Sequence, residues 1–199
     1  MDSFPKIITS NYEQIRNTIK TGDLLLASGT SLMSSMIKGA TKSVWSHVAF
    51  IIYLEEIDRY MVMESVETIG VRTIPLSNYV HNYNGSGKGY PGKLMLAHYQ
   101  NFPTENISDL SKQAIDLLGY PYNINQILEI AARIGMDAFG LNATSPELLS
   151  QNAFICSEYV DICYQSVGVS VDYNQQGYIT PADFARSPKV KPTCFITTI

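Results

Sequence analysis

Apolar residues along this chain recur at two periods, and each period marks a different kind of element. At helical spacing, Ile8, Tyr12, Ile15 and Ile19 form a stripe between about Ile7 and Lys20, with Thr9, Asn11, Glu13 and Gln14 on its polar side. Thr21 and Gly22 end that helix, since glycine suits a left-handed terminal position. Ser31 caps a second predicted helix reaching about Gly39. A third covers Ser108 to Leu118, and a further stripe joins Ile124, Ile127, Leu128, Ala131 and Ile134. From Ile155 to Val167, residues Val160, Cys163 and Val167 follow Cys156 on one face. Gly168 stops this helix, and Pro181 opens a short last one.

Shorter apolar runs read as strands: Asp23 to Ala27, Val48 to Leu54, Tyr60 to Ser65, Val71 to Ile74, Lys93 to His98 and Cys194 to Thr198. Val48 to Leu54 is apolar at every position, which predicts a strand covered on both faces. His81 to Gly92 is a loop by composition, and Asp137 to Gln151, with Gly140 and Pro146, reads as short helical turns. Strands in sequence with short turns between two blocks of helices give an α+β fold with a central antiparallel sheet. The chain reads as one domain over 1–199, with a helical addition at 1–21 and a helical insertion at 120–151.

The parity of the Val48–Ser65 hairpin has a consequence for chemistry. Glu55-Glu56 makes a poor two-residue turn, because such turns want Asn or Gly. A longer turn that pairs Tyr53 with Tyr60 also pairs Ala49 with Glu64. His47 and Glu64 then share a face as diagonal neighbours, whereas a shift of one residue would separate them.

Charge and composition narrow the classes. Charged residues make up only 16% and the net charge is −4, and no basic stripe is visible, which argues against a general nucleic-acid binder. Three cysteines without close pairing disfavour a disulfide framework and a zinc site. His81 and His98 stand at no metal-ligand spacing, so no metal or cofactor is expected. Gly85-Ser86-Gly87-Lys88-Gly89 lacks the spacing of a phosphate loop. Met1 to Pro5 lacks signal-peptide character and no apolar run reaches membrane-spanning length, which leaves a reducing, cytoplasmic compartment as the expectation.

One constellation remains. Cys156 heads a helix, where the dipole and free N–H groups give a thiol thiolate character. His47 on a strand can act as its base, and Glu64 can orient the ring. Each residue also has a plainer reading. His47 can be a core histidine bonded to a carbonyl, Glu64 a solvated strand-end carboxylate, Cys156 a small apolar residue heading the Cys163 stripe, and Tyr122 a core aromatic in a proline turn.

Gly22-Asp23-Leu24-Leu25, Ser46-His47-Val48-Ala49, Glu64-Ser65, Gly119-Tyr120-Pro121-Tyr122, Cys156-Ser157-Glu158 and Pro181-Ala182-Asp183-Phe184 occur in that order over most of the chain. Together they resemble the YiiX/YebB-like branch of the NlpC-type cysteine peptidase superfamily, with its circularly permuted papain-like fold. The resemblance implies Cys156 as nucleophile, His47 as base and Glu64 as third member. It places Tyr122 and Asp23 at the site as substrate-binding or oxyanion support. It also implies a hydrolase of peptide, cell-wall peptide or lipid amides working through a thioester. An acyltransferase, or a binding module of the same fold, is the alternative. A third reading makes the Tyr-rich loop 81–92 a contact surface.

Overall fold

The computed structural model describes residues 7–127, 129–130, 153–172 and 177–199. In chain order, its elements are β1 (Thr9–Ser10), α1 (Tyr12–Ile15), β2 (Leu24–Ser28), α2 (Leu32–Thr41), β3 (His47–Leu54), β4 (Arg59–Val66), β5 (Gly70–Pro75) and α3 (Leu76–His81). There follow β6 (Lys93–Tyr99), α4 (Ile107–Asp116), α5 (Cys156–Gln165), α6 (Pro181–Arg186) and β7 (Val190–Ile196). The strands form one sheet in the order β1-β7-β6-β2-β3-β4-β5. Every pairing is antiparallel except β1 with β7.

Alternation along the central strands divides the core into two layers. Leu24, Leu26, Val48, Phe50, Met95 and Ala97 face α4 and α5, which contribute Leu110, Ala114, Tyr159, Val160 and Cys163. Leu25, Ala49, Ile51, Val62, Leu94 and Leu96 face α1 and α3, which contribute Tyr12, Ile15, Leu76, Tyr79 and Val80. This two-sided cover is why β3 lacks the polar alternation of a half-exposed strand. A third, smaller cluster joins Ile127, Ile130, Ile155 and Tyr178 to Met33, Ile37 and Tyr122.

The β3–β4 hairpin adopts the register read from parity. Tyr53 pairs with Tyr60 and Phe50 with Met63, across a turn in which Asp58 is left-handed at φ 50. The stacked Tyr53 and Tyr60 rings, 4.5 Å apart between centroids, cover the end of the hairpin.

The N-terminal stretch corrects the helix expected over 7–20. Residues 9–10 join the sheet edge, where the N–H groups of Phe195 and Thr197 donate to the carbonyls of Ile8 and Ser10. Helix begins only after Asn11, whose side chain accepts the Gln14 N–H, and it gives way to a 3₁₀ turn at Arg16–Thr18. Unpaired edge groups on β7 outcompete local propensity there. The last strand, β7, starts four residues earlier than Cys194. It runs through Pro192, which is tolerated because the β6–β7 ladder shifts register near Ala97. The turns expected over 137–151 lie outside the described residues, as do Leu128, Ala131 and Ile134 of the preceding stripe; residues 124–127 are helical. Among the described residues no helix is long and apolar enough to cross a membrane.

Gly70 ties the Gly119–Tyr122 turn to the sheet. It has φ +87, and a Cβ there would stand 2.1 Å from the Tyr120 carbonyl oxygen. That close approach lets Val71 N–H donate to Tyr120 O at 2.8 Å and Gly119 N–H to Val71 O at 3.0 Å. Gly70→Ala should lower stability by about 2 kcal/mol or more, from overpacking and a disfavoured φ together. A urea midpoint equal to that of the wild type would count against this close-packed strap.

Candidate active site

His47 opens β3 and Glu64 lies near the end of β4, so the hairpin brings both to the same end of the sheet. Glu64 Oε2 accepts a hydrogen bond from His47 Nε2–H at 2.7 Å. With Nε2 so engaged, Nδ1 is the ring nitrogen left for the Cys156 thiol, which lies near enough to raise the His47 pKa. Cys156 is the first residue of α5, which packs across the sheet face opposite to α3. The thiol therefore meets the imidazole at the sheet's end.

The other residues of the matching motifs hold this junction. Ser65 Oγ donates to the Phe154 carbonyl at 2.7 Å, and Phe154 N–H donates to Pro121 O at 3.0 Å. The chain entering α5 is thus pinned to β4 and to the Gly119–Tyr122 turn. Ser157 Oγ donates to Ile179 O at 2.8 Å, tying the helix start to the segment before α6. Asp183 accepts the N–H and the hydroxyl of Thr180, which caps α6 behind Pro181. Ser46 Oγ accepts the Gly29 N–H at 2.9 Å and fixes the turn beside His47. Glu158 accepts the Ile155 N–H at 3.4 Å and a hydrogen bond from Gln126. Burial pushes its carboxyl up to about 7.

Electrostatics favour a charged imidazole. Burial alone would lower the His47 pKa, but hydrogen bonding and charge from Cys156 and Glu64 outweigh it and push it up to about 10. Burial would likewise raise Glu64. Hydrogen bonding and charge from His47, the Arg72 guanidinium and the Tyr79 hydroxyl hold it below the ordinary carboxylate range instead. Cys163 and Cys194 are both raised by burial. Neither neighbours an imidazole among the interactions described, and Cys163 is fully buried beneath Tyr159.

Two cavities meet here. A polar cleft of about 340 Å³ is lined by His47, Ser65, Glu67, Tyr79, Tyr83, Tyr90 and Tyr122, among others. An apolar slot of about 30 Å³ is lined by Cys156, Ile155, Met36, Ile37, Ile127 and Ile130 and their neighbours. Tyr122 touches the third apolar cluster and lines the cleft, and its hydroxyl is held neutral by burial and by the Cys156 charge. The 120–130 segment thus borders the site where it is described. Loop 81–92, read as a surface, contributes Tyr83, Asn84 and Tyr90 to the cleft.

Asp23 departs from expectation. His47 pairs with Ala27 at the far end of β2, so Asp23 lies about 13 Å away along the strand. Its Oδ2 accepts the Lys20 N–H at 2.8 Å and its Oδ1 pairs with His98 Nδ1 at 2.7 Å. Its work is to close the turn into β2, and it lines neither cavity. Two residues that sequence reasoning passed over stand beside Glu64 instead. Arg72 Nε–H donates to Glu64 Oε1 at 2.7 Å and the Tyr79 hydroxyl to Oε2 at 2.5 Å. Arg72 is directly opposite Glu64 in the β4–β5 ladder, an acid–base cross-strand pair that parity could have flagged. Tyr79 sits on α3, a short helix with no sequence signal.

Residues 18–191 match the family of permuted papain-like amidase enzymes, YaeF/YiiX, C92, and the chain belongs to that family. It is therefore of a cysteine peptidase and amidase class. Its fold is similar to the crystal structure of metalloprotein yiiX from Escherichia coli O157:H7, DUF1105, with a TM-score of 0.63 and 18% identity over 88% of this chain and 97% of that one. No curated protein matches. Among the described residues, no group of three or more His, Cys, Asp or Glu side chains is placed to hold a metal ion.

Proposed function

We propose that this protein hydrolyses amide or related acyl bonds with Cys156 as nucleophile, His47 as general base and acid, and Glu64 as the residue that orients the ring. The observation that carries the reading is a single imidazole shared between a helix-heading thiol and a buried carboxylate, in a chain of an amidase family. His47 Nδ1 takes the thiol proton, and the thiolate attacks the substrate carbonyl carbon. The oxyanion faces the first N–H groups of α5, which have no intrahelical acceptor. Such donors contribute about 3–4 kcal/mol in comparable hydrolases. Tyr122, neutral and close to the thiol, is a further donor to it. The imidazolium protonates the leaving amine, a thioester remains on Cys156, and water attacks it with His47 again as base.

The two cavities divide the substrate. The acyl side enters the apolar slot that Cys156 lines, and the leaving group occupies the polar cleft that His47 lines. Peptide, cell-wall peptide and lipid amides all present such a bond, and an acyl acceptor other than water fits the same chemistry. A panel of the three amide types, with acyl release followed by mass spectrometry, tests the reading. Turnover of at least one, lost with Cys156, is expected. Binding without turnover across the panel would favour a non-catalytic module. Iodoacetamide at neutral pH should label Cys156 ahead of Cys163 and Cys194, and equal labelling of the three would count against a catalytic thiol.

A further inference from the structure

Resting on that reading of the site, we propose that Arg72 and Tyr79 are positioning residues. They keep Glu64 ionised and turned toward His47, and so set the pH at which the Cys156 thiol becomes reactive. The basis is the packing around one carboxylate. Glu64 is 0% exposed, so protein donors must replace water on both of its oxygens. His47 Nε2–H and the Tyr79 hydroxyl share Oε2, and Arg72 Nε–H takes Oε1. Arg72 is fixed in turn, since its Nη1 donates to Asn84 Oδ1 at 3.0 Å and its Cζ lies 5.9 Å from the Tyr83 ring centroid. Tyr79 packs against both the Tyr83 and Tyr90 rings, with centroids at 4.8 and 5.5 Å. Two separate elements, β5 and α3, thus each commit a residue to the carboxylate behind the histidine.

The groups facing Glu64 are His47 from β3, Arg72 from β5, Tyr79 from α3, and Tyr83 and Tyr90 from the segment after α3, with Cys156 beyond His47. Burial holds the three tyrosines neutral, so Arg72 is the one fixed positive charge in this set. Without it, Glu64 is held less firmly ionised and less firmly turned toward His47, so the imidazolium that pairs with the Cys156 thiolate is itself less stabilised. The acid limb of thiol reactivity then moves to higher pH. Removing the Tyr79 hydroxyl takes a donor from the ionised carboxylate and moves the limb the same way, by less.

The experiment is the rate of Cys156 alkylation by iodoacetamide against pH, followed by mass spectrometry, in wild type, Arg72→Gln, Arg72→Lys and Tyr79→Phe. Arg72→Gln should move the acid limb up by about one pH unit, a tenfold loss of rate on the acid side. Arg72→Lys, which keeps the charge, should restore most of it. In a Glu64→Gln background, Arg72→Gln should produce only a fraction of the shift, because its effect passes through the carboxylate. Lower amplitudes with an unmoved limb, in Arg72→Gln or in Tyr79→Phe, would reduce the two residues to packing and overturn the proposal. A full shift persisting with Glu64→Gln would overturn it too, by showing that Arg72 acts on the thiol directly. A wild-type Cys156 no faster than Cys163 would instead overturn the triad reading itself. Should Arg72→Gln fail to fold, Tyr79→Phe decides by the same criterion.

Discussion

Replacing Cys156 with alanine should abolish turnover and thiol labelling together, and replacing His47 with alanine should suppress turnover as strongly. The expected loss is about 10⁴-fold or more for each, because nucleophile and base act as one unit and neither works alone. The two losses should not multiply in the double variant, for the same reason. Stability should change little with Cys156→Ala. The thiol is buried but borders a slot, and only its sulfur is lost, so a shift of about 1 kcal/mol is expected. Circular dichroism and a urea midpoint separate loss of chemistry from loss of fold. Residual turnover in Cys156→Ala within tenfold of wild type would remove the thiol from the mechanism. Equal loss with Cys163→Ala would move the nucleophile to a position that offers it no imidazole.

Much of this site was legible because it is written in short local patterns. The β3–β4 register follows from the parity of one hairpin, and with it the meeting of His47 and Glu64. Cys156 at a helix start follows from the apolar stripe beyond it and from Gly168. The residues that failed to be read are held by contacts distant in sequence. Ser65 and Ser157 look like ordinary polar residues until they are seen to anchor Phe154 and Ile179. Asp23 belongs to the matching motif Gly22-Asp23-Leu24-Leu25 and yet stands apart from the site. The antiparallel pairing sends the aspartate end of β2 away from His47, and nothing in Gly-Asp-Leu-Leu tells which end faces the thiol. β1 was hidden for a related reason: Thr9 and Ser10 lie within a helical stripe, and only the exposed edge of β7 turns them into strand.

Removing the Glu64 carboxylate should damage stability and catalysis at once, and in different proportions for different substitutions. Glu64→Leu leaves the Arg72 guanidinium, the Tyr79 hydroxyl and the His47 Nε2–H without the fully buried acceptor they share. Breaking a buried pair on one side in this way costs about 3–5 kcal/mol. Glu64→Gln keeps one oxygen, which can serve His47 and Tyr79, but turns its NH₂ group toward Arg72. It should therefore retain the ring orientation and part of the activity while losing the charge. The pH dependence follows from the sign of the shift. Glu64 is held below its ordinary value of 4.5 in the folded protein. Its contribution to stability is then fully present above that value and is lost as pH falls through the lower, folded one. Urea midpoints of wild type and Glu64→Gln, measured between about pH 6 and about pH 3, should converge as the pH drops. A gap of constant size across that window would mean that the carboxylate binds its proton equally in the folded and unfolded chain, and the donors assigned to holding it ionised would lose that role.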